Sequence, residues 1–166
     1  IMSSDWSSDV CSSDLAKNLV KAAYRVIGYD IRPEAVQSHV EAGGEAGEHA
    51  ADVVERSDIV LTSLVGPAYV EVAERYLIPN ARSGQIFIDH STVPAPETRR
   101  LAAALEEKGA IPLDIPVSGW WTGAESGTLW MFAGGDRETF ERCLPLLEVM
   151  GDPERILYGG GIGMGQ

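Results

Sequence analysis

Four short apolar runs, each ending in polar residues or a turn and the first three each followed by a helical stretch, constrain this chain more than any other feature. They cover residues 25–29 (closed by Asp30), 58–64, 85–89 and 110–114. Runs this rich in Val, Ile and Leu, with little polar alternation, suit strands buried on both faces. Between them lie helical stretches. Pro33 suits the first turn of a helix over residues 33–41, stopped by Gly43-Gly44. Further helices are predicted over Ala50–Arg56, over 68–76 after the Gly66-Pro67 break, and over 94–108 behind Ser91-Thr92. Residues 128–133 form another strand, Asp136 caps a helix over 138–149, and 156–158 is a last short strand. Strands alternating with helices of this length predict an α/β fold, a doubly wound parallel sheet covered on both faces.

The first fifteen residues break the pattern. Ser3-Ser4-Asp5, Ser7-Ser8-Asp9 and Ser12-Ser13-Asp14 repeat one tripeptide, and Ser and Asp favour turns and caps over strands or helix interiors. The segment is either a solvated tail or foreign sequence joined to a natural gene. Its abrupt end at Ala16, where residues 16–23 read as the close of a helix, favours the second. The expected organisation is therefore a segment of doubtful origin over 1–15 and an incomplete domain over 16–166.

Composition narrows the function classes. The formal net charge is −12 with 13 Lys and Arg spread along the chain, which argues against nucleic acid or an anionic membrane as partner. No apolar run approaches the roughly 18 residues of a membrane span, and the amino end lacks a basic start and an apolar signal core. Cys11 and Cys143 form no metal-ligand spacing, and reduced thiols suit a cytoplasmic protein. His39, His49 and His90 are scattered, so no metal site is expected.

In open α/β sheets ligands bind beyond the carboxyl ends of the strands. Asp30 ends the second strand of the natural pattern, where an acid accepts hydrogen bonds from an adenosine ribose and repels the 2′-phosphate of NADP. With Ile31 following, NAD is favoured, while Arg32 keeps NADP open; the other role for Asp30 is a cap on the next helix. Leu64-Val65-Gly66-Pro67 is a turn that lets backbone approach a ligand. Ser91 and Thr92 offer hydroxyls to a cofactor or a substrate carboxylate, or merely cap the helix behind Pro94. The most distinctive string runs from Asp114 to Leu129. There Ser118, Gly119 and Gly123 sit in a Gly-punctuated loop suited to presenting a hydroxyl and N–H groups to an anion.

These residues together resemble the β-hydroxyacid dehydrogenase family, which includes 3-hydroxyisobutyrate dehydrogenase, tartronate semialdehyde reductase and 6-phosphogluconate dehydrogenase. The similarity rests on Asp89-x-Ser91-Thr92, on Asp114-x-Pro-Val-Ser118-Gly119 with Gly123-Ala124 and Gly127-Thr128-Leu129, on a Gly134-Gly135 turn, and on residues 160–166. It implies a Rossmann-type NAD(P)-binding domain and hydride transfer at the carbinol of a small hydroxy acid or semialdehyde. Leu64, Val65 and Thr92, with Asp30, would contact the cofactor. Ser118, Gly119 and Ser91 would hold the substrate. The family's acid/base lysine lies a few residues past its Gly-x-Gly-Gln stretch, here Gly163-Met164-Gly165-Gln166, and so beyond Gln166 together with the helical second domain. That domain is also how members assemble, so a full-length form is expected to be a homo-oligomer.

Two departures stand out. Counting back from Ala16-Lys17-Asn18-Leu19 puts the family's three loop glycines at Ser7, Asp9 and Ser12, and a carboxylate at the middle position opposes a pyrophosphate. Trp120, followed by Trp121, stands where the family usually has a second glycine. The expectation is an oxidoreductase half that is inactive as it stands. The alternatives are a non-catalytic dinucleotide-fold binding module, or a related imine or keto-acid reductase.

Overall fold

The computed structural model describes residues 2–3, 9–64 and 66–166. Among the described residues the sheet has nine strands: β1 (Met2–Ser3), β2 (Ile27–Asp30), β3 (Glu45–Ala46), β4 (Ile59–Ser63), β5 (Ile86–Asp89), β6 (Ile111–Asp114), β7 (Val117–Ser118), β8 (Leu129–Gly135) and β9 (Gly151–Gly160). The spatial order is β3-β2-β1-β4-β5-β6-β8-β7, with β9 on β8. Strands β1 to β6 are parallel. The chain winds outward one way from β1 to β3 and the other way from β4 to β6, so the order reverses between β1 and β4.

The helices are α1 (Asp9–Lys21), α2 (Pro33–Glu41), α3 (Ala50–Arg56), α4 (Gly66–Val72), α5 (Ile78–Asn80), α6 (Ala95–Glu106), α7 (Trp120–Ser126) and α8 (Arg137–Leu147). Two packed cores show that both faces of the sheet are covered. Leu15, Leu19, Ile86, Ile88, Leu113, Leu129, Met131 and Leu147 fill one. Val53, Val54, Val60, Leu77, Phe87, Leu101 and Leu105 fill the other. Along β5 the alternation is direct: Ile86 and Ile88 enter the first core and Phe87 the second.

Several expectations change. The sheet is mixed rather than wholly parallel, because β8 runs antiparallel to β6 and β7. The segment expected as a loop over 118–127 contains α7, which returns the chain for that antiparallel pairing. Gly134-Gly135 is the end of β8 and not a turn. The last strand spans Gly151–Gly160, well beyond 156–158. The helix expected to stop at Tyr76 continues through a π-helical turn, Ala73–Leu77, into α5. Pro79 explains that turn, since it lacks the N–H an α-helix needs there and its ring crowds the preceding carbonyl.

The amino end departs most. Met2–Ser3 pair on both sides, Met2 level with Tyr29 and Thr62, although Ser- and Asp-rich sequence has little strand propensity. Helix α1 begins at Asp9, crosses the 15/16 junction, and buries Leu15 to 1 % exposure. Asp14 and Leu15 are thus buried in the packed domain, on a helix continuous with residues 16–21. Leu15→Ala is expected to cost about 2–4 kcal/mol by denaturant unfolding, the range for a buried leucine. A loss near zero would contradict the packed helix.

Candidate functional site

Because β2, β4, β5 and β6 are parallel, their carboxyl ends share one end of the sheet, around the reversal between β1 and β4. Asp30 ends β2 and is buried. Its Oδ1 accepts the backbone N–H of Arg32 at 2.8 Å and Arg32 Nε at 3.3 Å. Arg32, not Asp30, is the N-cap of α2, and no side chain caps that helix. Asp30 therefore shapes the β2–α2 corner and holds a guanidinium over itself, while Ile31 points into solvent.

The ends of β4 and β5 are tied together. Leu64 donates its backbone N–H to Ser91 Oγ at 2.9 Å. Ser91 in turn donates its N–H to Asp89 Oδ1 at 3.0 Å, and Thr62 Oγ1 donates to the same oxygen at 2.9 Å. Leu64 and Ser91 are both buried, and Thr92 is exposed. Ser91 does not cap the helix behind Pro94; its hydroxyl faces Leu64 instead. Val65 lies outside the described residues.

Asp89 Oδ2 is buried without a hydrogen-bond partner, in a cavity of about 10 Å³ shared with Tyr69, Thr62 and Asp114, room for about one water molecule. Burial raises the Asp89 pKa to about 6 against the opposing pull of Ser91, Thr62 and the nearby Tyr69 hydroxyl. Burial, then the Asp89 charge, raises the Tyr69 phenol well above its usual value. His90, on the other side of the strand end, donates from Nδ1 to Ile115 O at 2.7 Å, since a carbonyl only accepts. Nε2 then stays bare, and burial lowers the pKa to about 4, so the ring is neutral at pH 7.

Beyond β6 the chain turns at Ser118 and Gly119. Ser118 is exposed at the end of β7, and Gly119 is the N-cap of α7 with φ 140°. A side chain at Gly119 would be strained by that φ and would sit 3.1 Å from Leu129 Cδ2. Gly123 is not available to an anion: its N–H donates to Gly119 O and its carbonyl accepts Thr128 N–H. Trp120 has φ 57° and is 84 % exposed. A non-glycine residue held left-handed costs roughly 1–2 kcal/mol, which explains in backbone terms why glycine suits this position.

Sequence reasoning missed three positioning residues. Asp114 accepts the N–H groups of Gly163, Gly165 and Gln166 at 2.7, 2.9 and 3.2 Å, which fastens residues 160–166 to β6. Burial raises its pKa while those N–H groups pull it down. Gln166 then reaches the β5 loop, its Oε1 accepting Val93 N–H and its Nε2 donating to Ser91 O. Asn18 Nδ2 donates to Ala124 O at 2.8 Å and joins α1 to α7. The Asp-x-Pro-Val-Ser-Gly and Gly-x-Gly-Gln strings were visible, but nothing local links them. Among the described residues no group of His, Cys, Asp or Glu gathers as metal ligands, and no helix is long and apolar enough to cross a membrane.

Two outcomes follow. An acid whose folded pKa is raised binds its proton more tightly folded than unfolded. Asp89 therefore subtracts stability as pH rises from about 4 to about 6, by on the order of 3 kcal/mol. Asp89→Asn keeps an acceptor for Thr62 and Ser91, so its unfolding free energy should lack this decline in denaturant titrations between pH 4 and 7. A parallel decline in both proteins would assign it elsewhere. Trp120→Gly should raise stability by about 0.5–1 kcal/mol in the same assay.

Comparison with known proteins agrees with this geometry. The family described as the NAD binding domain of 6-phosphogluconate dehydrogenase matches residues 12–160. A 3-hydroxyisobutyrate dehydrogenase of Pseudomonas aeruginosa is 38% identical over 156 residues, 92% of this chain and 51% of that protein. The NAD-dependent L-serine dehydrogenase of the same organism is 36% identical over 155 residues, again 92% of this chain and 51% of that protein. The structure of Mycobacterium tuberculosis 3-hydroxyisobutyrate dehydrogenase with L-serine superposes with a TM-score of 0.86 at 32% identity, covering 99% of this chain and 55% of that one. The chain thus spans about half the length of the relatives it matches. Parallel strands reversing between β1 and β4, an acid ending β2 and the tied ends of β4 and β5 accord with that match, and the chain belongs to the 6-phosphogluconate dehydrogenase-type NAD-binding domain family of oxidoreductases.

Proposed function

We propose that this chain is the cofactor- and substrate-loop half of an NAD(P)-dependent oxidoreductase of small β-hydroxy acids, of the 3-hydroxyisobutyrate or 2-hydroxy-3-oxopropionate type. One observation carries the reading: Asp30, Leu64, Thr92 and the Ser118-Gly119 corner follow four strands that end on the same side of the sheet. The relatives' names support the substrate class, since L-serine, bound in the Mycobacterium tuberculosis structure, is itself a small β-hydroxy acid.

In this reading Asp30 accepts the ribose hydroxyls, and Leu64, Val65 and Thr92 line the cofactor. NAD is the better fit because Asp30 is acidic; Arg32, paired with it, is the group that would meet a 2′-phosphate in NADP. The bound nicotinamide supplies the hydride acceptor. Ser118 and Gly119 orient the substrate through an exposed hydroxyl and a backbone turn. Ser91 acts through Leu64, because its buried hydroxyl already takes that N–H.

The adenosine side of the site suits a dinucleotide and the pyrophosphate side does not. Asp9 is the first residue of α1, so the sequence carries an acid at a helix start where a dinucleotide-binding fold carries glycine. The chain's lysines are Lys17 and Lys21 on α1 and Lys108 just past α6; Lys21 and Lys108 stand at the opposite end of the sheet from the strand ends that build the site. The chain as given is therefore proposed to bind dinucleotide weakly and to lack the proton-transfer group. The family match begins at residue 12, so at least residues 12–15 of the segment of doubtful origin fall within it. A cytoplasmic setting and a homo-oligomeric full-length form complete the proposal. Trp130, Phe132 and Leu157, exposed on β8 and β9, are apolar surface that such a form would cover.

The chain carrying Ser7→Gly, Asp9→Gly and Ser12→Gly together should bind NADH at least about tenfold tighter than the chain as given, read by nicotinamide fluorescence. Arg32→Ala in that background should weaken NADPH more than NADH. Failure of the glycine-restored chain to bind either dinucleotide would end this reading.

A further inference from the structure

One oxygen of Asp89 is left over by the bonds that tie β4 to β5. Oδ1 takes Ser91 N–H and Thr62 Oγ1, while Oδ2 is buried and receives no direct hydrogen bond. The cavity of about 10 Å³ beside it is also lined by Tyr69, Thr98 and Asp114, with Leu77 and Phe87 among its apolar walls. Tyr69 enters from α4, where it is buried in the second core. Burial dominates the titration of both groups. Beyond it, the Tyr69 hydroxyl pulls Asp89 down and the Asp89 charge pushes Tyr69 up, which puts the two groups face to face.

Two facing polar groups without a direct bond to Oδ2, across room for about one water molecule, describe a water site. A water there donates one proton to Oδ2 and accepts the phenol proton. Thr98 Oγ1, which donates to Pro94 O at 3.5 Å, has lone pairs for the second proton.

The chain between these anchors is the turn from β4 to α4. Leu64, before the turn, reaches Asp89 Oδ1 through Ser91. Tyr69, after it, reaches Oδ2 through the water. A ring alone packs α4 against the core, whereas a bonded hydroxyl also fixes its rotation. One carboxylate then holds both ends of the turn, which leaves it few other conformations and so less ordering to lose when a ligand binds.

We propose that this cavity holds one water molecule joining Tyr69 Oη to Asp89 Oδ2, and that the bridge makes Tyr69 a positioning residue for the turn that meets the cofactor. The positioning role rests on the function proposed above; the bridge does not.

Tyr69→Phe keeps the ring and removes the bridge. At pH 7 its Leu64 and Val72 amides should exchange with solvent at least about tenfold faster, measured relative to Ile88 in the centre of β5. At pH 5 Asp89 is mostly protonated and a weaker acceptor, so the difference should shrink to about twofold. Asp114 on β6 is the other acid facing the cavity; Thr62 and Thr98 carry no charge, and His90 turns away to Ile115. Asp89→Asn separates the two acids: in that background the effect of Tyr69→Phe should be equal at both pH values. A crystal structure should show one water within about 3.2 Å of both oxygens.

Equal exchange with and without the hydroxyl, a difference as large at pH 5 as at pH 7, or a cavity without that water would overturn the bridge. In the chain carrying Ser7→Gly, Asp9→Gly and Ser12→Gly, Tyr69→Phe should weaken NADH binding about fivefold. Faster exchange with undiminished NADH affinity would overturn the positioning role alone. NADH binding by no version would end the functional reading and the positioning role with it, while the exchange data still decide the bridge.

Discussion

Asp89 and Asp114 lie side by side in register at the ends of β5 and β6, both buried, and the loops of the site hang from them. Removing a carboxylate from water costs several kcal/mol, and a hydrogen bond to a charged group returns about 1.5–3 kcal/mol. Asp114 receives such bonds from Gly163, Gly165 and Gln166, which offset part of its burial, and it works as a fastener for the last turn. Asp89 has fewer partners, and Oδ2 has none, so its charged form weighs against stability. What it secures is the path Asp89–Ser91–Leu64, which fixes the ends of β4 and β5 relative to each other. Gln166 closes the circuit by gripping the backbone of Ser91 and Val93. The corners after β4, β5 and β6 are therefore one coupled unit rather than three loops.

Much of this frame was legible in the sequence. The four apolar runs become β2, β4, β5 and β6, and α2 and α3 fall on the expected residues because Pro33 and the Gly43-Gly44 stop are local signals. Strand direction is not local. Nothing in residues 128–133 says that β8 pairs antiparallel with β6, and α7 is hidden because a seven-residue helix with Gly inside it shows no apolar stripe. The π turn before Pro79 is hidden too, since a proline reads as a stop when the helix can instead widen by one residue. At the site, Asp30, Leu64, Ser91 and Ser118 are readable because each ends or follows a strand. The parts played by Asp114, Gln166 and Asn18 are not, because their bonds span 49 to 106 positions and leave no spacing to detect.

The amino-terminal segment shows why a sequence can complete a fold while working against its use. A helix N-terminus has unsatisfied N–H groups and a partial positive charge, and the domain gains by placing something negative there. In a dinucleotide-binding domain that gain is reserved for the pyrophosphate, and glycines keep the approach clear. Here Asp9 opens α1. The segment thus opens α1 and lets Leu15 pack, with an acid in the sequence where such a domain has glycine. Met2 and Ser3 complete the sheet's centre, where they join β2 to β4 at two rungs. Folding asks only that these positions be filled well enough to pack. Binding asks that the helix end be left clear, and a Ser- and Asp-rich segment meets the first demand without the second.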